Sequence, residues 1–132
     1  MMLTQLRIRH PLYPALKPIP AAKATGLCLA ITGTFQELEQ AGAAGVRASR
    51  IVFPMHRIEG PSLSSSERDM LWELFQVPAY VLMLDGKGRV VAYECEAHSG
   101  LHLINQETRP VDGDIETSLC ECGRPGSRVI LT

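Results

Sequence analysis

The chain has no run of like charge: thirteen basic and fourteen acidic side chains in 132 residues leave a formal charge of -1. Without a basic patch or stripe there is no electrostatic footprint for a phosphate backbone, which excludes nucleic acid as a partner. No apolar stretch approaches the roughly 20 residues that span a bilayer, so no membrane association is expected. The segment from Met1 to His10 lacks the apolar run and cleavage site of a secretory signal, and a reducing, cytoplasmic setting is the expectation. Catalytic signatures are equally scarce. There is no Gly-x-Ser-x-Gly elbow for a serine nucleophile, and the His-x-Glu with Pro-Cys-x2-Cys of the zinc deaminases is absent. Thr32-Gly33-Thr34 follows a strand-like run but lacks the frame and lysine of a phosphate-binding loop. No catalytic residue is assigned.

Cysteine is sparse too, at four residues. In a reducing setting, three of them clustered near histidines read as metal ligands, not disulfide partners. Cys95-x2-His98-x3-His102 follows a strand-like run, and Cys120-x-Cys122-Gly123 occupies a Gly/Pro-rich turn. Thiolate and imidazole are the donors a borderline-soft divalent ion selects, so Cys95, Cys120, Cys122 and one histidine can close a tetrahedral zinc site. His102 alternates with Leu101 and Leu103 and projects to the face opposite theirs, which makes it the preferred fourth ligand. His98, beside Ser99-Gly100 in a turn, is the substitute. Three thiolates and one imidazole fill the shell and leave no position for an activated water, so the zinc is expected to be structural. Glu94, Glu96 and Glu121 are the acids adjacent to the ligands. Cys28, inside an apolar run, reads as a small buried hydrophobe, and His10 and His56 show no evident partners.

At this length one domain is expected, burying roughly two-thirds of the surface its unfolded chain exposes. Pro11, Pro14, Pro18 and Pro20 preclude a regular helix, so residues 1–24 read as an extended arm. Its apolar residues imply that it packs along the body or on a second subunit, giving a homodimer through the arm. Residues 25–132 read as a single α/β domain. Gly26 to Ile31 is consistent with a buried strand, and Thr34 to Glu37 has capping-box spacing ahead of a helix from Phe35 to Ala43. A second strand, Arg50 to Met55, precedes another box, Ser64 to Glu67. The helix it opens ends before Pro78, with Leu71, Trp72, Leu74 and Phe75 as its core side. Ala79 to Leu84 and Arg89 to Glu94 are strand-like runs joined by a hairpin turn at Asp85 to Gly88. The expected fold is therefore α/β: a small sheet with two helices packed against it, plus an irregular β-rich C-terminal segment closed by the metal site.

The stretch Leu63 to Leu103, with "LSSSERDMLWELFQVPAY" and "VVAYECEAHSGLHL", resembles the middle of the phenylacetate-CoA ligase branch of the adenylate-forming (AMP-binding) enzymes. Those enzymes activate aryl acids with ATP and transfer the acyl group to coenzyme A. "CECGRPGSR", Cys120 to Arg128, resembles a Cys-x-Cys-Gly-Arg element of many members, and "GLCLAITGTFQELEQAG" is similar to an earlier strand-helix unit. The resemblance covers about Gly26 to Arg128 and implies a zinc site of the Cys/His pattern seen in some relatives. The departures are specific. The family's Tyr-Gly-x-x-Glu falls on Met83, Leu84, Asp85, Gly86 and Lys87, so a lysine replaces the metal- and nucleotide-contacting glutamate and would repel Mg-ATP. The phosphate loop has no counterpart, and neither does the domain carrying the catalytic lysine. What the resemblance implies is a non-catalytic, cut-down relative of the aryl-CoA ligase core acting as a binding or accessory protein. The alternative is an acyl-, aryl-acid- or nucleotide-binding subunit that completes a ligase-type site with a partner chain.

Overall fold

The computed structural model describes residues 8–58, 63–104 and 114–130. Eight strands, β1 (Ile19–Pro20), β2 (Leu27–Gly33), β3 (Arg47–Arg57), β4 (Leu82–Leu84), β5 (Val90–Glu94), β6 (Leu101–Leu103), β7 (Asp114–Glu116) and β8 (Arg128–Ile130), form one mixed sheet. Their spatial order is β1-β2-β3-β4-β5-β6-β8-β7. Helix α1 (Phe35–Ala43) connects β2 to β3, and α2 (Ser65–Phe75) connects β3 to β4. Both connections join parallel neighbours, as crossover helices allow.

Each helix starts on a complete capping box. Thr34 Oγ1 accepts from Glu37 N at 3.2 Å while Glu37 Oε1 accepts from Thr34 N at 2.9 Å, and Ser64 and Glu67 repeat the exchange. The boxes satisfy amides that a helix start leaves without partners. Helix α2 ends at Gln76, which takes a left-handed conformation (φ 57°) and donates its N–H to Trp72 O. Leu38 and Ala41 of α1 and Leu71 and Phe75 of α2 bury against Ile31, Ala48 and Val52 on one face of the sheet. Trp72 departs from the expected core side and is 53% exposed. It sits about 100° around the helix from Leu71, off the stripe that Leu71, Leu74 and Phe75 share.

On the other face Ala30, Ile51, Phe53, Tyr80, Leu82 and Leu84 pack beneath Ile8, with Tyr13 and Leu16 against them. The proline-rich segment thus lies on the sheet of its own chain, and its end joins it: Ile19 and Pro20 pair in parallel with Ile31 and Thr32 as an edge strand, where a proline needs no ladder N–H. His10 corrects the reading that it lacks partners. It is fully buried among Tyr13, Phe53, Tyr80 and Tyr93. Leu12 N donates to its Nδ1 at 3.1 Å, so the proton sits on Nε2, which donates to Glu94 O at 2.6 Å. Strand β2 is buried only over Ala30–Gly33, and Leu27 and Leu29 are 72% and 62% exposed.

The β4–β5 hairpin turns on Asp85, whose Oδ1 accepts from Lys87 N and Arg89 N, with Gly88 at φ +80°. Beyond it β5, β6, β8 and β7 pair antiparallel, so the C-terminal segment is β-rich, as expected, and its short strands continue the same sheet. Among the described residues no helix is long and apolar enough to cross a membrane.

Candidate metal centre

Strand pairing brings together residues that are far apart in sequence. Cys95 directly follows β5, His102 is the middle residue of β6, and Cys120 and Cys122 lie in the approach to β8. The β5–β6 register sets Tyr93 opposite His102, and the β6–β8 register sets His102 opposite Arg128. Two tight turns present the sulfurs. In the first, His98 N donates to Cys95 O at 3.0 Å and Ala97 N to Cys95 Sγ at 3.4 Å. In the second, Gly123 N donates to Cys120 O at 2.9 Å and Arg124 N to Cys122 Sγ at 3.5 Å. Gly123 is at φ +84°, a conformation glycine adopts without steric cost.

The three sulfurs and one imidazole nitrogen all lie within 4.8 Å of one another. Cys95 Sγ is 3.7 Å from Cys120 Sγ, and Cys122 Sγ is 3.5 Å from His102 Nε2. Cys95, His102 and Cys120 are buried and Cys122 is half-buried. A group of this composition and size can hold a metal ion. His102 lies flat on Tyr93, ring centroids 5.2 Å apart and 18° from parallel, which fixes the ring plane.

The local electrostatics spread the thiols apart. Burial pushes the Cys95 thiol up to about 11, the neighbouring Cys120 and Cys122 thiols adding to the shift while the Ala97 N–H opposes it. Burial acts upward on Cys122 as well, but Arg124, through its N–H and side chain, and the thiols of Cys120 and Cys95 outweigh it and bring the group down to about 7. His102 is held below the usual imidazole range by burial, then by the charges of Arg128 and Arg124, which favours the neutral ring a metal binds.

The other sequence candidates fall outside the cluster. His98 sits at φ +52°, its Nδ1 3.4 Å from Glu94 Oε2 and its ring edge-on to Tyr80. Glu94 gives its carboxylate to Arg68 Nη2 at 2.6 Å and Val81 N at 3.1 Å, and Glu96 pairs with Arg124 at 2.8 Å. Glu121 is exposed. Cys28 is half-buried against the helix-side core, its thiol toward Thr25 O. Thr34 N is taken by Glu37 and Thr32 Oγ1 donates to Phe53 O, so that turn has committed its polar groups internally. Met83 and Leu84 are buried in β4, whereas Lys87 is exposed in the hairpin turn. Sequence reasoning missed Tyr93 and Arg128. Tyr93 was legible as the residue two before Cys95, on the same side of an alternating strand; Arg128 carried no local signal. Neither the models of known protein families nor any curated protein matches this chain.

Proposed function

We propose that this chain is a non-catalytic zinc-binding α/β domain in which Cys95, His102, Cys120 and Cys122 hold one structural zinc, and that it acts as a binding or accessory protein. The observation that carries the reading is dimensional. A tetrahedral ion about 2.3 Å from sulfur and about 2.05 Å from nitrogen sets S···S edges of about 3.8 Å and S···N edges of about 3.5 Å. The two close edges of the cluster are 3.7 Å and 3.5 Å. Three thiolates and one imidazole are a donor set that suits zinc, and a full four-ligand shell leaves no site for substrate or activated water. The resemblance to the phenylacetate-CoA ligase branch supports the same ligand set, while Lys87 in place of the nucleotide-contacting glutamate supports a role without adenylation.

Metal content per chain, measured on protein purified without added metal or a histidine tag, tests this. About one zinc per chain is expected, falling to about none in C120S/C122S. Stably folded wild-type protein without metal would refute it.

One feature favours a second reading, a binding subunit for an acyl, aryl or nucleotide ligand. A cavity of about 470 Å³ lies at the carboxyl ends of parallel β2, β3 and β4, lined by Thr34, Glu37, His56, Arg57 and Leu84 among others. Ligands of open α/β sheets bind at such strand ends. A thermal-shift screen with aryl acids, ATP and coenzyme A tests it, since a ligand of the folded state must raise the midpoint.

A further inference from the structure

Arg128 is 5% exposed, a buried cation. The ion pairs among the described residues are Arg68–Glu94, Arg89–Asp85, His98–Glu94 and Arg124–Glu96, and Arg128 joins none. Glu116 is its register partner on β7, but the Glu116 carboxylate accepts from Ser118 N at 3.0 Å and forms no ion pair with the guanidinium. Glu116 acts on the guanidinium through space, and a buried guanidinium that no described acid pairs with directly is costly. Its other register partner is His102. Three thiolates and a divalent ion sum to a single negative charge, which complements the guanidinium.

Its donors are placed to matter as well. Nη1 donates to Ser99 O and, at 3.0 Å, to Ser99 Oγ; Nη2 reaches Ser118 O and Oγ, both at 3.4 Å. Ser99 lies between Cys95 and His102, and Ser118 lies two residues before Cys120, so one planar fork spans both ligand-bearing segments.

We propose that Arg128 is a positioning residue of the metal centre, supplying the buried positive charge that balances three metal-bound thiolates and tying the two ligand-bearing segments together. This rests on the zinc reading above. Outer partners of this kind set metal affinity by about 10–100-fold.

The test compares full-length wild type, R128Q and R128K by zinc competition against a chromophoric chelator and by the visible spectrum of the cobalt(II) form. R128Q is expected to bind zinc about 10–100-fold more weakly and to show an altered cobalt spectrum. R128K keeps the charge but not the fork, and is expected to recover affinity to within about tenfold of wild type. Wild type that binds no zinc refutes the zinc reading and this inference with it. Wild type that binds zinc, with R128Q of equal affinity, refutes this inference alone, even if R128Q melts lower, because a purely structural arginine lowers stability without touching the metal. Should R128Q fail to fold, R128K decides. Folded R128K with affinity within about tenfold supports the proposal, and a larger loss, or failure to fold, overturns it, since the retained charge would not have sufficed.

Discussion

Removing the metal should cost far more stability than removing any one side chain near it, and Cys120→Ser isolates that difference. Cys120 is buried with its Sγ 3.7 Å from Cys95 Sγ, whereas Cys28, the control, is half-buried outside the cluster. Structural zinc in small sites binds with apparent free energies on the order of 10–16 kcal/mol, so modest free zinc saturates the wild type. At free zinc about a thousandfold above Kd, the folded state gains about 4.1 kcal/mol. For 132 residues the entropy of unfolding is about 280 cal/mol/K, which converts this to about 15 °C in melting temperature. Calorimetric scans with zinc and with a strong chelator check it. Wild type and C28S should each lose about 15 °C on chelation, while C120S should start low and respond little. A chelator shift below about 3 °C in wild type, or an equal shift in C120S, would refute the reasoning.

The two histidines should separate cleanly: H102A is expected to lose the bound metal, while H98A keeps about one ion per chain by elemental analysis because the His98 ring rests on Tyr80 and Glu94. Metal loss from H98A would show that the turn rearranges. His10 should make stability depend on pH. Burial holds it below 6.5 in the fold, with the Glu94 carbonyl and carboxylate opposing, so its contribution is complete above pH 6.5 and is lost as acid protonates the unfolded chain and then the folded one. H10F has no such group, so the wild type's advantage over it should shrink below pH 6.5 by at most about 1.4 kcal/mol per pH unit, measured by urea unfolding at matched metal saturation. A gap that stays constant or widens on acidification would contradict this. E94Q leaves Arg68 without its charge partner; with the arginine side chain 35% exposed, the expected loss is about 2–3 kcal/mol in the same assay. A change within about 0.5 kcal/mol would show the pair to be inert.

What could be read from the sequence was local. Thr34 and Ser64 with glutamates three residues on mark both helix starts because a capping box is completed within one turn. Asp85 to Gly88 marks the hairpin for the same reason, and His102 was separable from His98 because alternation with two leucines fixes the side on which a strand residue projects. Strand β3 runs from Arg47 to Arg57, beyond the expected Arg50 to Met55, since the exposed polar residues Arg47, Ser49 and Arg50 hide its start. What escaped was non-local. His10 reads as a histidine without an evident partner until the fold places Glu94 O against its ring, and nothing near Ile19 announces a partner strand. Arg128 is the sharpest case, because its hydrogen-bond partners lie 29 and 10 residues away.

The division of the sheet explains why a metal belongs at one end of it. Strands β2 and β3, with 7 and 11 residues, are covered by two capped helices on one face and by the proline-rich segment on the other. Strands β6, β7 and β8 have 3 residues each, and no described helix packs on them. So few ladder bonds hold this end only weakly, and small structures of this kind are commonly closed by a staple. All four donor atoms sit at that end, on segments joined otherwise by short strand pairings, the Arg128 fork and the Arg124–Glu96 pair. An ion bonded to Cys95, His102, Cys120 and Cys122 would link the end of β5, the centre of β6 and the approach to β8 through one point. A metal adds most where the chain has least else to hold it, and the short C-terminal strands meet that condition while the helix-covered half does not.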